Sequence, residues 1–155
     1  ANSSFKRTKK VMAVTDHLAG DHSLVSYAAL FTQTDGTLFL AHVEDKSVFD
    51  RYIKAVSKIP DLDTETASEQ IKARLLKDPN DYVESCKKRL TESLPTINIE
   101  RWVKLGSRMS DYRNLIDENE IDLLVMYTKD DEQLAMHGVA YPLAVELKTT
   151  PLLML

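Results

Sequence analysis

One cysteine, four glycines and a single tryptophan in 155 residues leave several classes of protein without their raw material. A lone thiol, Cys86, cannot close an intramolecular disulfide, so the fold must hold by packing, as suits a reducing compartment. Cys86 recurs with Val83 and Leu90 at the spacing of one helix face, which reads as a small core hydrophobe rather than a nucleophile. Basic charge is not in excess. The 20 Lys and Arg stand against 24 Asp and Glu, and a net charge of -4 excludes a general attraction to nucleic acid or anionic lipid. The local exception, Lys6-Arg7-Thr8-Lys9-Lys10, reads as part of a solvated leading arm over residues 1–10. No apolar run approaches the roughly eighteen residues of a membrane span, and the first residues lack a signal peptide's hydrophobic region. The expectation is a soluble, cytoplasmic domain. Ser107 and Ser110 near Gly106 lack the Gly-x-Ser-x-Gly turn of a nucleophile elbow, and with no triad signal the chain does not read as an enzyme.

What is present is an alternation. Val11 to Thr15 is a compact apolar run closing on Asp16, the pattern of a buried strand that delivers a carboxylate to the sheet edge. After His17-Leu18-Ala19-Gly20, Asp21 or Ser23 can cap a helix with Leu24, Tyr27, Ala28 and Phe31 on one face, and Gly36 is placed to stop it or turn the chain. Thr37 to Val43 is a second apolar strand, dissolving into Glu44-Asp45-Lys46, so the first two strands should lie parallel with a right-handed crossover.

From Ser47 to Leu94 the periodicity gives two or three helical segments, with Ala67, Ile71 and Leu75 on one face and Val83, Cys86 and Leu90 on another. Pro60 and Pro79 punctuate them, and Pro79 is expected in the first turn of a helix capped by Asp78. Ile97 to Val103 mixes apolar and polar positions as an edge strand does. Then come a turn at Leu105-Gly106-Ser107, a cap at Ser110, and a helix facing the core with Tyr112, Leu115 and Ile116 until Asn119. Leu123 to Tyr127 is a fourth strand, wholly apolar before it breaks into charge at Lys129-Asp130-Asp131. A last helix carries Ala140, Leu143, Ala144 and Leu147, with Pro142 tolerable in its first turn, and Pro151 introduces a fifth strand, Leu152 to Leu155. The whole predicts one α/β domain over residues 1–155.

Val11-Met12-Ala13-Val14-Thr15-Asp16, Leu40-Ala41-His42-Val43, Gly106, Ile121-Asp122-Leu123-Leu124-Val125-Met126 and Thr150-Pro151-Leu152-Leu153-Met154-Leu155, in this order, resemble the universal stress protein family. The resemblance implies an open, doubly wound parallel sheet of five strands in the order 3-2-1-4-5, with helices on both faces. Ligands in such sheets sit at the carboxyl edge where the order reverses, between strands one and four. In nucleotide-binding members the residue matching Asp16 contacts the adenine end, and a loop after strand four, Gly-x-x-Gly, a spacer, then Gly-Ser/Thr, cradles the phosphates. This chain departs from that loop. Tyr127 and Asp130 hold the first two glycine positions, Gly138 fits the third after too short an interval, and Val139 stands where a hydroxyl belongs. Asp130-Asp131-Glu132 would also repel a triphosphate by about 1 kcal/mol per close charge.

The resemblance thus implies a member without ATP or any other cofactor, a regulatory or stress-response module acting through protein partners. One alternative is a sensor holding AMP or ATP at Asp16, Tyr127 and Gly138 through a remodelled loop, with Tyr127 stacked on the base. Another is the cytosolic part of a transporter, with the basic arm beside a membrane. Asp16-His17-Leu18-Ala19-Gly20-Asp21-His22 matches no metal-ligand spacing and reads as a solvated loop, His42 as a structural imidazole, and His137 as lacking a carboxylate partner in sequence. The apolar fifth strand, at a sheet edge, is a candidate homodimer interface through Leu152, Leu153, Met154 and Leu155, because pairing with its own copy covers both edges at once.

Overall fold

The computed structural model of the protein describes residues 8–16, 22–128 and 140–155. Strand β1, Thr8–Val14, is the centre of a parallel sheet and buries Val11, Met12, Ala13 and Val14. It pairs on one side with β2, Thr32–Asp45, and on the other with β4, Leu123–Met126. Strand β3, Asn98–Gly106, borders β2, and β5, Leu152–Met154, borders β4, which gives the order β3-β2-β1-β4-β5. The expected order and the edge position of the third strand both hold. Continuous burial along β1 and β4 is what a strand covered on both faces requires. The basic stretch is less detached than expected: β1 begins at Thr8, so Lys9 and Lys10 belong to the strand, and Lys10 exchanges hydrogen bonds with Asp122.

Two cores flank the sheet. Alternate residues of β1 and β2, Val11, Ala13, Leu38 and Leu40, pack with Leu24, Val25, Ala28, Val83 and Cys86 on one face. Met12, Val14, Ala41 and Val43 pack with Tyr112, Leu115, Ile116 and Leu143 on the other. The helices are α1, His22–Phe31, and α3, Thr64–Ser93, on the first face, and α4, Arg108–Asn119, and α5, Ala140–Glu146, on the second. Helix α2, Lys46–Val56, buries no residue and packs against α3, whose Ala67, Ile71 and Leu75 are half-buried.

Several local expectations are corrected. Tyr27 is 48% exposed, and Val25 and Ala29 complete the buried face of α1 with Leu24 and Ala28. That helix ends at Phe31, well before Gly36, because Thr32 pairs with Thr8 and turns its hydroxyl onto the Ala28 carbonyl. Of the two proposed caps for α1, Ser23 lies inside the helix and Asp21 outside the described residues. Gly36 is needed where β2 bends: Asp35 before it has φ 63°, and a Cβ on Gly36 would sit 2.6 Å from the Lys9 carbonyl oxygen.

Pro79 does not begin a helix and Asp78 does not cap one. Helix α3 runs unbroken through Pro79, its cap is Asp63, and Asp78 pairs with Arg74. Pro79 has no amide to donate to the Leu75 carbonyl, and the Asn80 side-chain amide donates to the neighbouring Leu76 carbonyl at 2.8 Å. Ser110 likewise lies inside α4. Ser107 holds the cap position, and the Asp111 carboxylate reaches back to accept from the Ser107 amide at 2.8 Å. Pro142 falls in the first turn of α5 as expected.

Candidate functional site

Every strand of a parallel sheet points its carboxyl end the same way, so the ends of β1, β2 and β4 and the start of α4 meet at one edge. There Asp16 follows β1, half-buried, and accepts a hydrogen bond from the Tyr112 hydroxyl at 2.8 Å. The same hydroxyl accepts from the buried Val43 amide at 2.9 Å. Tyr112 therefore bridges α4 to the ends of β1 and β2. Burial foremost, and then the neighbouring Asp16 carboxylate, push its phenol well above its ordinary range. Arg108, one turn earlier on α4, donates from Nε to the Val43 carbonyl at 3.3 Å.

On the opposite face of the same edge lies His42, buried at the end of β2. Its Nδ1 is 2.7 Å from the Thr15 carbonyl oxygen and its Nε2 is 3.1 Å from a Glu44 carboxylate oxygen. A carbonyl only accepts, so Nδ1 carries a proton, and the contact at Nε2 needs a second one, held by the imidazole or by the carboxyl. The structural reading of His42 is thus right, and more specific than expected. Thr15 adds amide and hydroxyl hydrogen bonds to the Ala41 carbonyl at 2.9 and 3.1 Å, closing the β1–β2 seam just before Asp16.

Of the expected ligand residues, Asp16 and Tyr127 reach the same edge but opposite faces. The register pairs Ala13 with Val125, which sets Tyr127 beside Thr15. Tyr127 packs with the core on the α1–α3 side, whereas Asp16 turns to Tyr112 on the α4 side. Gly138 lies outside the described residues, as do Asp130-Asp131-Glu132, His137, Val139 and the loop from His17 to Asp21. Thr128 is occupied, its amide and hydroxyl both donating to the Leu155 oxygen at 3.0 Å. Among the described residues no three His, Cys, Asp or Glu side chains are placed to hold a metal ion, and no helix is long and apolar enough to cross a membrane.

The candidate interface strand is a true edge: among the described residues, β5 pairs only with β4. Leu152, Leu153 and Leu155 are half-buried against the two cores, and Met154 is 41% exposed.

Sequence reasoning missed Tyr112 and Glu44 as site residues. A hydroxyl on an otherwise apolar helix face, and a carboxylate two residues beyond His42 on one strand, were the signals that could have found them.

No protein-family model and no curated protein matches the sequence. Solved structures do. Hypothetical protein MJ0577 superposes with a TM-score of 0.71 at 17% identity, the alignment covering 95% of each chain. Universal stress protein UspA from Lactobacillus plantarum gives 0.68 at 10% identity, over 96% of this chain and 99% of that one. A universal stress protein in complex with cAMP gives 0.51 at 18% identity, over 96% and 98%. At these identities the likeness is one of architecture, and with the 3-2-1-4-5 parallel sheet it establishes that the chain has the universal stress protein fold.

Proposed function

We propose that the protein is a universal stress protein-like regulatory domain that does not hold ATP and acts as a homodimer through contacts with other proteins. One observation carries the first half. The Asp16 carboxylate, at the position where nucleotide-binding relatives meet the base, is engaged by Tyr112, and the chain beyond it offers no glycine between Gly106 and Gly138. A phosphate cradle is built from bare backbone amides, and side chains at Tyr127 and Asp130 stand in its place.

The dimer half rests on β5. Among the described residues its outer edge pairs with no strand beside the exposed Met154, and a second β5 running antiparallel would pair both edges about a two-fold axis. Sedimentation or light scattering should give twice the chain mass, and Met154→Lys, at a half-exposed side chain, should give the single-chain mass with an unchanged circular dichroism spectrum. A wild-type monomer at high concentration would remove this half.

A second reading is a sensor for a smaller nucleotide. The cAMP complex of a protein with this fold supports it. In that reading AMP or cAMP, with fewer phosphates to cradle, binds where ATP does not, and Asp16→Ala abolishes the binding.

A further inference from the structure

We propose that the cleft between α1 and α3 binds a small amphipathic carboxylate, one anionic head group on an aliphatic tail. The inference does not rest on the reading of the strand ends. The cleft has a volume of about 460 Å³, within the range of small-ligand sites, and its apolar walls are Val25, Ala29 and Leu30 from α1 with Cys86 and Leu90 from α3 and Leu94 just after it.

Its two ends differ in polarity. At the first turn of α1, the Arg89 guanidinium reaches across from α3 and donates to His22 Nδ1 at 2.9 Å, with Cys86 Sγ 3.6 Å away. Neither partner is a carboxylate. Among the described residues no carboxylate lies within 4.0 Å of Arg89, whereas Arg74, Arg101 and Arg113 each have one. The His22 ring is set at this end by Tyr82, their centroids 5.8 Å apart. The other end is mostly apolar, formed by Leu90, Leu94 and Leu30, the last 60% exposed, with Ser93 also lining the cleft.

From His22 to Leu30 the helix rises about 12 Å, room for a medium-length alkyl tail lying along α1 with its carboxylate at Arg89. A carboxylate gains a forked, charge-assisted pair from a guanidinium, and the tail replaces water over leucine and alanine. A nucleotide fits poorly, since one guanidinium faces the cleft and its walls carry few groups to solvate phosphates.

The test is calorimetric titration of the purified chain with decanoate below its micellar range, beside decan-1-ol and acetate. Saturable decanoate binding is expected, at least tenfold weaker in Arg89→Gln and in Leu30→Glu, both at exposed positions whose folding is checked by circular dichroism. Decan-1-ol should bind at least tenfold more weakly and acetate not saturably. No saturable heat with decanoate in the folded wild type overturns the proposal. So does equal binding by Arg89→Gln, or equal binding of the alcohol.

Discussion

Replacing Tyr112 by Phe deletes one oxygen and nothing else, yet that oxygen serves two partners across the sheet edge. Val43 is fully buried, so its amide would lose its partner with no water to replace it, at about 1–3 kcal/mol. The hydrogen bond to Asp16 is lost as well, while the ring stays in its place between α4 and β2. We expect a net loss of about 2 kcal/mol, or roughly 4–8 °C in Tm for a chain of this size. In urea the midpoint should fall at an unchanged slope, because the surface exposed on unfolding is the same.

The phenol adds a pH signature. Its folded value is raised by burial above the ordinary 10.0, so the folded state holds a proton that the unfolded state releases. Stability is then complete below pH 10 and declines as pH rises above it toward the folded value, a slope that Tyr112→Phe should lack. Phenolate absorbance from Tyr112 should emerge only as the protein unfolds. A Phe variant within about 0.5 kcal/mol of wild type, with the same alkaline slope, would refute the bridging role of this hydroxyl.

Gly106→Ala would place a Cβ 2.0 Å from Asp111 Oδ2, displacing the carboxylate that holds the Ser107 amide and pairs with Lys104. A loss of about 1–2 kcal/mol in denaturant is expected, and it should shrink in an Asp111→Ala background if the clash is the cause. Pro79→Ala should restore the helix hydrogen bond to Leu75. Relief of about 3 kcal/mol, less about 0.8 for each of two lost ring methylenes, leaves a gain near 1 kcal/mol, and a destabilised variant would contradict it. Asp45 caps α2, and the Ser47 amide holds its carboxyl below the ordinary 3.8. Its contribution is present above that value and lost as pH falls through the lower folded one, so Asp45→Ala should cost about 1 kcal/mol at neutral pH and progressively less as pH falls below 3.8.

The buried strands were legible because burial on both faces writes itself as uninterrupted apolar sequence at Val11–Val14 and Leu123–Met126, whereas the sheet order came with the family resemblance. The edge character of β3 showed in its polar positions. Boundaries were harder. Pro79 and Asp78 together imitate a helix start, and only the continuation of α3 from Asp63, with Asn80 bonding back to Leu76, shows that packing against the sheet overrode the break. Tyr27 fits the apolar face of α1 by spacing, but the face is rotated toward Val25 and Ala29, and a period alone does not fix which flank meets the sheet.

At the site, Asp16 was visible because a carboxylate closing a buried strand is conspicuous. Tyr112 was not, since a hydroxyl at the tip of a core aromatic leaves the hydrophobic pattern unchanged. Which face of the edge each residue serves depends on strand register, and that is set by long-range pairing such as Ala13 with Val125.

A calorimetric titration of the ligand-stripped protein with ATP and Mg²⁺ is the sharpest test of the proposal that this chain, with its universal stress protein fold, does not hold ATP. No saturable heat and no thermal shift are expected into the millimolar range. Saturable micromolar binding, lost in Asp16→Ala, would contradict it and would mean that the segment from Tyr127 to Val139 builds a phosphate site without the glycines.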